Sequence, residues 1–179
     1  MDLIRRSQAG DEQAFAALFH KYKNLVYKTA YLMLGDADEA EDVLQEVFVQ
    51  VYKSLDAYDP GRGAFTTWLY RITVNRCLNW RRRWRPFVPL DRTRTSVPSP
   101  EGRMEEKAVW QAVSRLSEKL RAVVILRYHW ELSYAEIAQI LDIPLGTVKS
   151  RLNLALRTLR KELEAEEASA KTRLSQQEV

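Results

Sequence analysis

The sequence predicts an all-α protein: two small helical domains joined by a Pro-rich linker, the second ending in a helix-turn-helix. Three observations carry this. Apolar residues recur at spacings of three and four through most of the chain. No stretch alternates apolar and polar residues for long enough to make a strand. Four of the six prolines, Pro86, Pro89, Pro98 and Pro100, crowd one segment near the middle. The patterning divides the chain into an N-terminal helical domain over 1–83, a linker over 84–103, a C-terminal domain over 104–163 and a polar tail over 164–179.

The first long helix runs from Asp11 to Leu34, where Phe15, Leu18, Phe19, Tyr22, Leu25, Val26, Leu32 and Met33 lie on one stripe. Gly35 stops it. Asp36, with Glu39 three positions on, has the pattern of a capping box and opens a second helix carrying Val43, Leu44, Val47, Phe48, Val51 and Leu55. The segment Asp56 to Gly63 holds one Pro and two Gly and reads as a loop before a third helix, from about Phe65 to Arg83. In that helix Phe65, Trp68, Leu69, Ile72 and Leu78 are expected to face inward. Helical patterning resumes near Met104 with Val109, Val113 and Leu116, and restarts at Ser117 with Leu120, Val123, Val124 and Leu126.

The helix-turn-helix occupies Ser133 to about Leu163. Ser133-Tyr134-Ala135-Glu136 fixes where its first helix begins, because the hydroxyl and the carboxylate each accept from a backbone N–H of the other residue. Ile137, Ala138 and Leu141 form its predicted buried face, and Ala138 leaves room for a crossing helix. Asp142 tolerates left-handed turn geometry, Ile143 fills the corner, and Pro144 suits the start of the second helix. That helix is expected to bury Val148, Leu152, Ala155, Leu156 and Leu159. Thr147, Lys149, Ser150, Arg151, Asn153, Arg157, Arg160 and Lys161 remain for solvent or DNA, with donors suited to base edges and phosphates in a major groove. Past Leu163 the chain is polar and is expected to fray.

Composition narrows the function. The chain has 179 residues, 46% of them hydrophobic and 29% charged, which suits packed globular structure. A net charge of +4 is only mildly basic, so the placement of charge decides more than its total. Cys77 is the sole cysteine, which excludes an internal disulfide framework and any multi-cysteine zinc site, and fits a reducing compartment. No apolar h-region follows the N-terminal arginines and no run approaches the roughly 18 apolar residues of a membrane span, so a cytoplasmic protein is expected.

Charge is polarised within the N-terminal domain. Asp36, Asp38, Glu39, Glu41, Asp42 and Glu46 place six acids in eleven residues, whereas Arg71, Arg76, Arg81, Arg82, Arg83 and Arg85 crowd the third helix and its exit. This suggests nucleic acid on the third helix and a protein partner on the second. Tyr58, Phe65, Trp68, Tyr70 and Trp80 alternate with Arg71, Asn75, Arg76 and Asn79, a mixture that suits unpaired bases stacking on rings. Ordinary solvation is the competing account of the acids, and core packing that of the aromatics.

The run Asp42-Val43-Leu44-Gln45-Glu46, then Phe65-Thr66-Thr67-Trp68-Leu69-Tyr70-Arg71-Ile72, then Ser133-Tyr134-Ala135-Glu136-Ile137-Ala138 with Ile143 to Leu152, resembles the extracytoplasmic-function (ECF) sigma factors of bacterial RNA polymerase. The resemblance covers about residues 8 to 163 and implies a protein that binds core polymerase, directs it to promoters and helps open the DNA. It implies that Asp42, Gln45 and Glu46 grip the clamp coiled coil of the polymerase. It places Trp68 at the upstream edge of the melted promoter, Arg71, Asn75, Arg76 and Asn79 on the nontemplate strand, and the loop from Asp59 to Ala64 around a flipped-out base. With Arg62, Phe65 and Arg82, these make the expected minus-ten set. The minus-thirty-five set is Thr147, Lys149, Ser150, Arg151, Asn153 and Arg157, with Leu154 departing from a position often basic in relatives. The arginines Arg81 to Arg83 are expected on phosphates. An anti-sigma factor is a further implied partner.

No catalytic constellation accompanies these features. His20 and His129 fall in different domains without metal-ligating company, the glycines form no phosphate loop, and no nucleophile has a base partner. No enzymatic activity, cofactor, metal or small-molecule substrate is expected. A one-component transcription regulator with an N-terminal sensor is the alternative reading, but the acidic and aromatic-arginine helices suit a sensor poorly. A recombinase would need an α/β catalytic domain, for which no strands are apparent, and a plain helical interaction module leaves the three motifs unexplained.

Overall fold

The computed structural model describes residues 2–84 and 104–177, with side chains over 2–80 and 108–166. Among the described residues there are eight α-helices, two 3-10 turns and one π-helical turn, and no strand. A short helix that the apolar pattern did not announce comes first, α1 (Asp2–Gln8). Its Ile4 is buried and its Arg6 pairs with Asp11 at 2.7 Å. Asp11 in turn caps α2 (Glu12–Leu34), accepting the Ala14 N–H at 3.0 Å. That bond, followed by the Arg6 guanidinium, holds the Asp11 carboxyl below the usual carboxylate range.

Gly35 ends α2 as expected, at φ 79°, a left-handed conformation that costs a glycine little. Asp36 caps α3 (Ala37–Ser54) by accepting the Glu39 N–H at 3.0 Å. Turns at Leu55–Ala57 and Pro60–Arg62 lead into α4 (Phe65–Trp84). These helices enclose Leu18, Val26 and Met33 from α2, Val43, Val47 and Val51 from α3, and Leu69, Val74 and Cys77 from α4. Two threonines lie in this core at full burial. Each turns its hydroxyl back to its own helix, Thr29 to the Leu25 carbonyl and Thr73 to that of Leu69, so neither is left unbonded.

The second half comprises α5 (Met104–Arg115), α6 (Glu118–Val124) running into a π-helical turn (Ile125–His129), α7 (Tyr134–Leu141) and α8 (Leu145–Gln177). Ala112, Val113 and Leu116 meet Val124, Ala155 and Leu159 in a small core of its own. The larger core crosses between the halves: Ile125, Leu126, Ile137, Ile140, Val148 and Leu152 belong to the same buried cluster as the residues of α2 to α4. The Tyr70 ring meets Trp130 at 5.5 Å. Arg121, 3% exposed, donates to the Met33 carbonyl at 2.6 Å across the junction, and to the carbonyls of Leu116 and Ser114 on its own side. A cation thus sits on the last turn of α2, where the helix carries its partial negative charge.

Three expectations change. The last helix runs on to Gln177 instead of fraying after Leu163, because Glu, Ala, Lys and Arg are strong helix formers and Arg115 of α5 holds Glu162 and Glu166. Leu156 is exposed, since at 100° per residue it falls about 70° from the centre of the buried stripe of Val148, Leu152, Ala155 and Leu159. On α7 the fully buried pair is Ile137 and Ile140, while Ala138 and Leu141 are half-buried. Apart from Trp84, which closes α4, the predicted linker lies outside the described residues. No helix among the described residues is long and apolar enough to cross a membrane.

Candidate nucleic-acid and protein interfaces

The loop between α3 and α4 is shaped by its own polar groups. The Asp59 carboxylate accepts the Gly61 N–H at 2.8 Å, and the Tyr58 hydroxyl donates to the Gly63 carbonyl at 3.0 Å. Gly63 has φ 149°, which favours glycine. From below, Gln8 of α1 donates to the carbonyls of Leu55 at 2.9 Å and Tyr58 at 3.1 Å, so the unforeseen first helix fastens the loop. Four rings back it: Phe65 meets Tyr22 at 5.1 Å, Tyr58 at 5.3 Å and Trp68 at 5.5 Å. Phe65 is only 6% exposed, so it supports the loop and Trp68 from within the core. Trp68 is half-buried.

Above this floor lies a groove of about 440 Å³ lined by Asp59, Arg62, Thr67, Trp68 and Arg71 on one side and by Gln139 and Asp142 on the other. The second side belongs to the helix-turn-helix, whose α7 packs along α4. Asp142 takes the left-handed conformation, φ 53°, ψ 50°, predicted for that turn. Its carboxylate meets the Arg71 guanidinium at 3.5 Å. Sequence reasoning missed Gln139 and Asp142 as groove residues, since nothing local to α7 announces that α4 lies opposite.

Along α4, Arg71, Asn75 and Asn79 are exposed and share a face, as their spacing of four requires. Arg76 is turned away toward α3, where it donates to Glu46 Oε2 at 3.3 Å and Gln50 Oε1 at 3.1 Å. Two sets that the sequence kept apart, one for polymerase and one for DNA, therefore meet at this pair. Arg82 stands in the last turn of α4 with its side chain outside the described set. On α3, Asp42 and Gln45 are exposed and Glu46 half-buried, and Val49, 53% exposed, continues their face.

The remaining set lies on α8. Ser133 and Glu136 form the capping box, with the Ser133 N–H donating to the Glu136 carboxylate at 2.8 Å and the Glu136 N–H to the Ser133 hydroxyl at 3.3 Å. The Ser133 hydroxyl also donates to that carboxylate, at 2.6 Å, and this bond, followed by the one from the Ser133 N–H, holds the Glu136 carboxyl below its ordinary value. The Thr147 N–H bonds the Pro144 carbonyl at 2.9 Å, opening α8. From there Lys149, Ser150, Asn153 and Arg157 are exposed, while Thr147 and Arg151 are half-buried. Leu154 is 46% exposed beside them. Val148, Leu152, Ala155 and Leu159 anchor the opposite side of the helix in the core.

Comparison with known proteins agrees with this arrangement of motifs. Residues 18–86 match Sigma-70 region 2 and residues 106–159 match Sigma-70, region 4. The chain is 38% identical to the ECF RNA polymerase sigma factor SigW of Bacillus subtilis (strain 168), over 89% of this chain and 94% of that protein. It is 37% identical to the ECF RNA polymerase sigma-E factor of Escherichia coli (strain K12), over 84% of this chain and 86% of that protein. Two solved structures share the fold at a TM-score of 0.69 and 24% identity: CnrH in complex with the cytosolic domain of CnrY, covering 91% of this chain and 96% of that one, and RpoE in complex with the anti-sigma factor NepR from Bartonella quintana, covering 84% and 96%. With both sigma-70 regions in order and this identity over nearly its whole length, the chain belongs to the ECF sigma factors of RNA polymerase.

Proposed function

We propose that this sigma factor divides promoter recognition and opening among three surfaces. The exposed face of α3, Asp42, Gln45 and Glu46, engages the clamp of core polymerase. The face of α8, Lys149, Ser150, Arg151 and Asn153 with Thr147 and Arg157, reads the upstream duplex. The groove of Asp59, Arg62, Trp68 and Arg71, extended along α4 by Asn75, Asn79 and Arg82, holds the unpaired nontemplate strand. Phe65 acts from below by fixing Trp68. The observation that carries this reading is the groove itself, in which an indole, a guanidinium and a glycine-shaped loop converge on a space large enough for a base.

Capture of an unpaired base offsets unstacking, which costs on the order of a few kcal/mol per flipped base. Binding to the strand therefore shifts the population toward open DNA without any covalent chemistry. Sigma factors are generally not catalytic, and the reading needs no enzymatic activity, cofactor or small-molecule substrate. Because Asp142, at the end of α7, pairs with Arg71, the strand competes with the helix-turn-helix for that guanidinium. Among the described residues the α8 face meets no such competitor, so duplex anchoring precedes strand capture. CnrH and RpoE were solved with CnrY and NepR, which supports an anti-sigma partner here too, and a cytoplasmic location follows from work alongside the polymerase.

The test is transcription with core RNA polymerase on a genomic promoter library, with and without the protein. New start sites are expected. K149A should weaken duplex recognition and R71A should impair opening, so a pre-melted promoter should rescue R71A alone. Equal rescue of both variants would contradict the division of roles.

A further inference from the structure

The position of Arg76 fits the strand poorly. At 100° per residue, Arg71, Asn75 and Asn79 cluster within about 80° of one another around α4, and Arg76 lies about a quarter turn from their centre. Its guanidinium is spent instead on α3. One nitrogen donates to Glu46 Oε2 at 3.3 Å and the other to Gln50 Oε1 at 3.1 Å, and both members of the ion pair are about two-thirds buried, at 34% and 35% exposure. Glu46 lies one helical turn after Asp42, on the edge of the acidic face nearest α4, where an untethered side chain would sample several rotamers. A guanidinium with two fixed acceptors restricts it to one, because its planar fork makes both bonds only in a single orientation.

We propose that Arg76 is a positioning residue for polymerase binding: it holds the Glu46 carboxylate in the orientation that the clamp receives, and so makes the rigid pairing of α3 with α4 part of the core-binding surface. This rests on the assignment of Asp42, Gln45 and Glu46 to the clamp. It also moves Arg76 from the DNA set, where the family resemblance had placed it, to the protein set. An arginine already holding a carboxylate has less charge to offer a phosphate. The same pair joins the helix that touches polymerase to the helix that touches DNA.

The experiment is a double-mutant cycle on full-length protein, reading equilibrium affinity for core RNA polymerase by fluorescence anisotropy. R76A and E46A are each expected to weaken binding about three- to tenfold, and the double variant no more than E46A alone, since the second substitution removes nothing that remains. R76K should recover only part of the loss, because one ammonium cannot reproduce both bonds of the fork. Additive losses in the cycle would overturn the proposal, as would normal core affinity combined with slowed opening in R76A, which would return Arg76 to the strand. If E46A itself binds core normally, the clamp assignment fails and the proposal with it. A weakened E46A beside an unaffected R76A would sink the proposal alone.

Discussion

Replacing Asp142 with Asn should loosen the hold of the helix-turn-helix on the strand groove while leaving its turn intact. Asn adopts the left-handed conformation as readily as Asp, so the φ of 53° carries no new strain. What is lost is one charge facing Arg71 at 3.5 Å. Both partners are solvated, with side chains 50% and 84% exposed, so the attraction is heavily screened. Exposed pairs contribute about 0.2–1 kcal/mol, equivalent to about 1.5- to 5-fold in an equilibrium constant. Single-stranded DNA competing for the same guanidinium should therefore bind D142N about 1.5- to 5-fold more tightly at low salt. Fluorescence anisotropy of a short labelled single strand measures this directly. The gain should vanish near 1 M salt, where the Debye length falls to about 3 Å. Equal affinity at low salt would refute the competition between Asp142 and the strand. A gain above about tenfold that survives high salt would refute the ion-pair account of it.

Other outcomes follow from the same geometry. S133A should cost about 1 kcal/mol by removing the cap of α7, read by urea unfolding. Because the Glu136 carboxyl is held below its unfolded value, the stability it contributes is present above the unfolded pKa and is lost as pH falls through the folded one. The difference between S133A and the parent should accordingly shrink in acid. The His129 imidazole is held below its ordinary value by burial and then by the charge of Lys28. Protonation therefore favours the unfolded chain, and stability should decline as pH falls below about 6.5. H129Q should flatten that decline, and an unchanged profile would rule out His129 as its source. K149A should reduce the salt slope of duplex binding by about one, the signature of a lost phosphate contact. L69A, at a position with no exposure, should cost about 2–5 kcal/mol, measured by the same unfolding assay.

Much of the molecule is legible without coordinates because its signals are local. Gly35, Asp36 and the Ser133–Glu136 box mark helix ends, since a cap is satisfied by residues within one turn of it. The stripe of Val148, Leu152, Ala155 and Leu159 separates the buried from the open side of α8, and so exposes Lys149, Ser150, Asn153 and Arg157 by the helical repeat alone. The left-handed turn at Asp142 was readable for the same reason. The short α1 was missed because its buried apolar residue, Ile4, makes no period, yet Gln8 at its end fastens the loop at the groove.

The sequence by itself determined the longer helices, most of their caps, the helix-turn-helix and the family, each of which depends on residues a few positions apart or on motifs in fixed order. Only the tertiary structure decided which faces meet. It set α7 against α4, gave Arg71 the Asp142 carboxylate as a partner, buried Arg121 against the last turn of α2, and turned Arg76 from the face of Arg71 and Asn75 toward Glu46. These pairings join residues from about 30 to about 90 positions apart. Helical periodicity says which side of a helix is buried, but it carries no information about what lies across from that side.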